Sequence, residues 1–286
     1  MRAALARPAP VPPCGNAWDA QLRLSFQRDG SRSVLARREH YGPLLVQKPL
    51  YPEGAEVCQC IVVHPPAGIA GGDRLVLDVD VQRGAWAQLT TPGATRWYRC
   101  AEVTASQTLR AHVDEGAVLE WLPQGTIVYD GTRAQSESRV ELARNAVFVG
   151  MDVVSLGRRA SGERFQCGEW RQRAEIVRGT ALIWSERVVL DASTGLLTSP
   201  VGLNGASVFG TFVVVGAAID DSMMPALRTI SPVQGDAAIT RLPDLVVARY
   251  RGESMEAASV YFVALWSMLR PALTGRAAVP PRIWST

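Results

Sequence analysis

Lysine is all but missing from this chain: Lys48 stands alone, and arginine fills the other 29 of the 30 basic positions. The arginines are scattered, and only Arg37–Arg38 and Arg158–Arg159 are adjacent. A nucleic-acid binder gathers its basic residues on one stripe or run. The pattern therefore speaks against nucleic acid and reads as a compositional bias, with a formal net charge of only +3. A long apolar run is also missing. The longest, Val208 to Ile219, is interrupted by Gly210, Thr211 and Gly216, and it falls short of the roughly 20 residues a membrane helix needs. The opening MRAALARPAPVPP has arginines but no apolar stretch, which predicts no secretory leader and a cytoplasmic location. Five cysteines, Cys14, Cys58, Cys60, Cys100 and Cys167, make an odd and widely spread set. Reduced thiols suit that set better than a disulfide framework.

The machinery of catalysis is equally sparse. There is no G-x-x-x-x-G-K-[ST] phosphate loop, so nucleotide hydrolysis by this chain alone is not expected. There is no H-E-x-x-H helix and no G-x-S-x-G elbow. His40, His64 and His112 stand far apart, and an isolated strand histidine is usually structural. Cys58 and Cys60 share one face of a strand, because strand side chains alternate. Two thiols do not complete a zinc site, which normally takes four ligands. No Gly/Ser-rich or charged linker divides the chain. The expected organisation is a loose Pro-rich arm over residues 1–17, followed by a single β-rich domain over 18–286.

Period-two alternation is what the sequence does have. Leu22, Leu24 and Phe26 alternate with polar neighbours, as do Leu75, Leu77, Val79 and Val81. A weak repeat is more informative. The segments Val81–Trp86, Val113–Val118, Leu142–Val147 and Val177–Leu182 each read strand, tight turn, small residue, strand. Their turn residues, Gly84, Gly116, Asn145 and Gly179, recur about every 30 positions, the spacing of a repeat architecture. Gly and Asn are the residues that tolerate positive φ in such turns. The fold expected is mainly β, a β-helical or solenoid-like stack of strands with one or two helices toward the C-terminus. Met255 to Leu269 carries helical spacing, with Ser254 as N-cap and Pro271 as a stop. A shorter helix is expected over Asp221 to Arg228, where Pro225 is tolerable only in the first turn.

One segment stands apart from this regularity. His64–Leu75, HPPAGIAGGDRL, packs prolines and glycines into a tight, irregular path between strands and ends on the hard oxygen donor Asp73. At this segment the chain resembles the UreD family of urease accessory proteins, called UreH in some bacteria. The likeness extends through Ser33–Leu44, Thr90–Arg99, Leu119–Gln124, Tyr129–Gly131, Ser155–Arg158, Val208–Thr211 and Pro281–Trp284, in order over nearly the whole chain. One departure is visible: Gly125 follows Pro123-Gln124 where the resemblance leads one to expect glutamate, removing one carboxylate there.

The resemblance implies a β-rich, helix-poor body and a non-enzymatic role. Such a protein joins the helical partner UreF and the GTPase UreG, docks on apo-urease in a heteromeric complex dimerised through its partners, and helps nickel reach the urease active site. GTP hydrolysis then belongs to UreG, and nickel is a transient cargo with no organic cofactor. Matching the motif blocks gives Asp73, Cys100, Asp130, Asp152 and Glu186 as residues of a nickel path. The apolar stripe that includes Phe262 and Trp266 has two readings: it packs against the chain's own sheet, or part of it, with Arg282 and Trp284 in the tail, is the surface for UreF. The competing classes are a metal-dependent hydrolase built from scattered His and Asp residues, and a carbohydrate-binding β-module. Intrinsic turnover would favour the first, and sugar binding without urease partners the second.

Overall fold

The structure is a computed structural model and describes residues 17–217 and 219–285. The Pro-rich arm expected over 1–17 lies outside the described residues except for Ala17. The chain begins with the hairpin β1 (Asp19–Asp29) and β2 (Arg32–Tyr41), then the short β3 (Leu45–Val46). The next strands are β4 (Cys58–Val63), β5 (Arg74–Val81), β6 (Trp86–Thr90) and β7 (Thr95–Trp97). After these come β8 (Cys100–Val113), β9 (Val118–Leu122), β10 (Thr126–Val128), β11 (Thr132–Leu142) and β12 (Val147–Leu156). The C-terminal part holds β13 (Gly168–Arg178), β14 (Ala181–Asp191), β15 (Val208–Val215), α1 (Met224–Thr229), β16 (Asp236–Leu242), β17 (Leu245–Gly252) and α2 (Met255–Thr274).

From β4 to β13 the chain winds between two sheets, forming a β-solenoid of about four turns. In the seven-stranded sheet the order is β14-β13-β11-β8-β5-β1-β2, and β1, β5, β8, β11 and β13 run parallel. In the other, β4, β6, β9 and β12 run parallel, and β15, β17 and β16 extend the sheet antiparallel from β12. The repeat turns make the crossings. Gly84 (φ 67°) and Gly116 (φ 66°) sit at the corners between β5 and β6 and between β8 and β9, where the backbone is left-handed and a residue with a side chain would be strained.

Two of the four turns depart from the expected pattern. Asn145 does not take a positive φ; instead its Oδ1 accepts the Gly116 N–H at 2.9 Å and ties one corner to the next. Gly179 closes a hairpin, because β14 returns antiparallel beside β13 in the same sheet. That return ends the solenoid.

The alternation in the sequence becomes stacked rows of side chains between the sheets. Leu24, Val79, Ala111, Val140, Ile176 and Trp184 form one row across β1, β5, β8, β11, β13 and β14, and all are buried. Full burial of each large apolar side chain contributes roughly 1.5–3 kcal/mol, so the row is a main source of cohesion.

A second apolar cluster lies on the opposite face of the larger sheet, under α2. Ser254 caps this helix as expected, its Oγ accepting the Ala257 N–H at 3.1 Å. Pro271 does not stop the helix; α2 runs on to Thr274 and ends at Gly275 (φ 73°), whose N–H reaches the Pro271 carbonyl at 2.8 Å. The hydrogen bond that Pro271 cannot donate would have gone to Ser267. Both residues are exposed, so the break lies on the solvent side of the helix. The shorter helix is present as α1, preceded by a 3-10 turn in which Asp220 accepts the Ser222 N–H. No helix among the described residues is long and apolar enough to cross a membrane.

A buried ionic cluster joins α2 to the solenoid. Arg270 donates to Glu120 through Nε (2.9 Å) and Nη2 (3.1 Å), and to Glu53 through Nη1 (2.6 Å) and Nη2 (2.9 Å). Its guanidinium lies 4.8 Å from the Trp86 ring centroid and 5.3 Å from that of Trp266. Glu120 also accepts from Trp86 Nε1, Gln88 Nε2 and Trp266 Nε1.

Candidate functional site

Two inward rows of the seven-stranded sheet change character along their length. One runs Leu22, Leu77, Leu109, Ser138, Ala174 and Glu186; its neighbour runs Ala20, Leu75, Gln107, Ser136, Gln172 and Val188. Their β1 and β5 ends are apolar; small or polar residues replace bulk from β11 onward in the first row and over β8, β11 and β13 in the second. The larger sheet matches this with Gly150 and Asp152 on β12 and Thr211 on β15, Asp152 standing opposite Thr211 in the ladder. Where the thinned rows face each other the sheets enclose a cavity of about 110 Å³, lined by Gln107, Ser138, Asp152, Gln172, Glu186 and Thr211 among others.

This cavity has neighbours on both sides. It shares Thr91, Thr95, Gln107 and Trp121 with a second cavity of about 310 Å³ bordered by His64 and Arg96. At the other end it shares Glu186 and Thr211 with an open groove of about 520 Å³ between β14 and the β15–β17–β16 edge. Both His64 ring nitrogens are buried without a hydrogen-bond partner among the described residues, and burial pulls the His64 pKa down. The imidazole is therefore neutral at pH 7, with a lone pair available.

Asp152 and Glu186 are the two acidic groups of this space expected from the motifs. Gln172 Nε2 donates to Asp152 Oδ2. Glu186 accepts from Thr211 Oγ1 at 3.0 Å and pairs with Arg249 Nη2 at 2.8 Å. Enclosure by protein, aided by the nearby negative charge of Glu186, pushes the Asp152 pKa from 3.8 up to about 6. Because the folded value is raised, the native state binds the extra proton. The contribution of this group to stability is fullest below about pH 4 and is lost as pH rises to about 6. We expect Asp152→Asn, which removes the buried charge, to raise stability at pH 7 by up to about 3 kcal/mol. The gain should vanish near pH 4. Urea unfolding at the two pH values measures both; equal stability of the variant and the parent at pH 7 would contradict this.

The other residues expected on a metal path are engaged elsewhere. Asp73 is buried (1% exposed), and its carboxylate accepts the Trp18 N–H at 2.7 Å and the Ala70 N–H at 2.8 Å. It fastens the HPPAGIAGGD loop to the start of β1. Asp130 accepts the N–H groups of Gln166 (2.6 Å) and Cys167 (2.9 Å) and pairs with Arg99 at 3.4 Å. It closes the loop into β13. Cys100 is buried against Gly71, where an added Cβ would lie 2.2 Å from its Sγ. None of these three lines the cavity between the sheets. Cys58 and Cys60 are free thiols sealed in the apolar core. Gly125 does line the cavity, with φ 98° and Met255 Cε only 2.8 Å from where a Cβ would stand. Glutamate at this position would require local rearrangement in this chain.

The apolar stripe of α2 is not free for a partner. Phe262 and Trp266 are both 0% exposed, packed on the chain's own sheet. Of the tail, Arg282 is exposed, whereas Trp284 is half-buried and donates from Nε1 to Thr90 Oγ1 at 2.8 Å. Outward on α2 the apolar surface is Val260 and Met268. Among the described residues, no three His, Cys, Asp or Glu side chains gather into a metal cage.

A two-sheet β-solenoid with a small cavity between its sheets, lined by Asp152 and Glu186, is the class of protein these features define. The model of the family described as UreD urease accessory protein matches residues 19–285. The chain is 48% identical over 269 residues to the urease accessory protein UreD of Azoarcus sp. (strain BH72), covering 94% of each chain. It is 47% identical over 283 residues to that of Dechloromonas aromatica (strain RCB), covering 98% of each. With that of Pseudomonas fluorescens (strain Pf0-1) it shares 49% identity over 271 residues, 94% of this chain and 96% of the relative. The chain belongs to the UreD family of urease accessory proteins.

Proposed function

We propose that this protein is a non-enzymatic scaffold that carries nickel through the space between its sheets during urease maturation. In this reading it works in the cytoplasm, bridging UreF and the GTPase UreG to apo-urease, and UreG hydrolyses the GTP. The observation that supports it best is the pair Asp152 and Glu186 lining a cavity between the sheets, with a second cavity beside it and an open surface groove sharing the Glu186 wall. A transit path needs hard, exchangeable oxygen donors, because an ion must leave as readily as it enters. Two carboxylates, with hydroxyl and amide groups around them, satisfy that requirement better than a closed four-ligand cage.

Filling the passage tests the idea without touching a carboxylate. Ser138 continues the row Leu22, Leu77, Leu109, so Ser138→Leu extends an apolar stripe into the 110 Å³ cavity. The variant is expected to keep its melting temperature and its pull-down of UreF and UreG, while urease matured with it stays poor in nickel. Full nickel loading by this variant, with leucine in place, would rule the passage out as the route.

A further inference from the structure

Arg249 occupies a position that the path alone does not explain. Asp152, Thr211 and Arg249 stand in one row across β12, β15 and β17. Glu186 faces them from β14 of the other sheet and touches both of its row neighbours there, Thr211 by a hydrogen bond and Arg249 by an ion pair. Glu186 and Thr211 line both the inner cavity and the outer groove, whereas Arg249 lines only the groove. The side chain of Arg249 is 59% exposed and that of Glu186 is 11% exposed. Thus the carboxylate belongs to the passage, and the guanidinium covers it from the solvent side. Both Glu186 oxygens are occupied, Oε1 by Arg249 and Oε2 by Thr211.

We propose that Arg249 is a latch at the outer mouth of the passage, a fixed cation that competes with a divalent metal ion for the Glu186 carboxylate. A doubly charged ion crossing between groove and cavity must displace the guanidinium, and a singly charged ion gains too little from one carboxylate to do so. The mostly exposed Arg249 has room to swing into solvent, at the modest cost of opening a partly exposed ion pair. The latch thereby keeps monovalent ions out and holds the Glu186 charge compensated while no metal is passing. This rests on the nickel-path reading.

The test is titration of the purified full-length protein with Ni²⁺ alone, followed by calorimetry and by competition with a chromophoric chelator. Arg249→Met should bind Ni²⁺ roughly two- to fivefold more tightly than the parent, in line with a partly exposed ion pair. Arg249→Lys, whose ammonium keeps the charge but not the planar fork, should fall between them. In Glu186→Gln the Arg249→Met substitution should give no gain. If Arg249→Met binds Ni²⁺ no more tightly than the parent, Arg249 is a clasp between the sheet edges and the latch is refuted; a lowered melting temperature would accompany that result. The two readings fail separately. Glu186→Gln losing Ni²⁺ binding while Arg249→Met matches the parent removes the latch and leaves the path. Unchanged binding in Glu186→Gln and Asp152→Asn removes the path, and the latch with it.

Discussion

Arg270→Ala is expected to lower stability by about 3–5 kcal/mol, the cost of leaving buried charge without its partner. The side chains of Arg270 and Glu120 are 0% exposed and that of Glu53 is 2% exposed. Two carboxylates share one guanidinium in this cluster, so its removal leaves both facing each other in a dry site. The loss is large against the 5–15 kcal/mol that typically separates folded from unfolded chains. The damage would also spread. Glu120 orients Trp86 and Trp266, and the Arg270 fork reaches the Ala277 carbonyl, so α2 and the segment after it are held through one side chain. Arg270→Lys should recover only part of the loss, because an ammonium cannot span two carboxylates as a fork does. Chemical denaturation of the parent and both variants measures this. A loss below about 1 kcal/mol for Arg270→Ala, the value of an exposed pair, would show that the cluster does not anchor the helix.

That cluster was invisible in the sequence, because Arg270 lies 150 residues from Glu120 and 217 from Glu53. Features set by neighbours were legible. The alternation of Leu75, Leu77, Val79 and Val81 became a buried strand face, Gly84 and Gly116 became corners, and Ser254 became the cap of α2. Gly179 was misleading because a turn fixes local direction only. Whether the next strand crosses over or returns depends on what it pairs with, and β14 pairs with β13. The helical spacing of Phe262 and Trp266 announced a buried face without saying whether the cover is the same chain or another.

The site was partly legible. Asp152 and Glu186 were found through motif blocks, but so were Asp73 and Asp130, whose carboxylates hold loops. All four are acidic residues, and only the fold separates those that accept backbone N–H groups from those that face a cavity. The cavity had a signal of its own. Ser136 and Ser138 stand between Ala134 and Val140 at inward positions of β11, breaking an otherwise apolar alternation. That break acquires meaning only once register aligns it with Gln107, Gln172 and Ala174.

The largest functional effect is expected from Asp152→Asn combined with Glu186→Gln. Both substitutions keep side-chain shape and the capacity to accept from Gln172 and Thr211, so the walls of the passage should stay in place. What disappears is the negative charge that draws a divalent ion off solvent. Losing even an outer partner of a metal ligand typically costs 10–100-fold in affinity or activity, and here the donors themselves are removed. Asp152 lines the internal cavity and the Glu186 side chain is only 11% exposed, so the proposed assembly with UreF and UreG should be unaffected. The decisive measurement is the nickel content of urease matured with this double variant, read beside the amount of accessory complex recovered. The account predicts a normal amount of complex and at least a tenfold fall in nickel per active site. Normal complex with normal nickel would contradict it, and would mean that nickel reaches urease without crossing the space between the sheets.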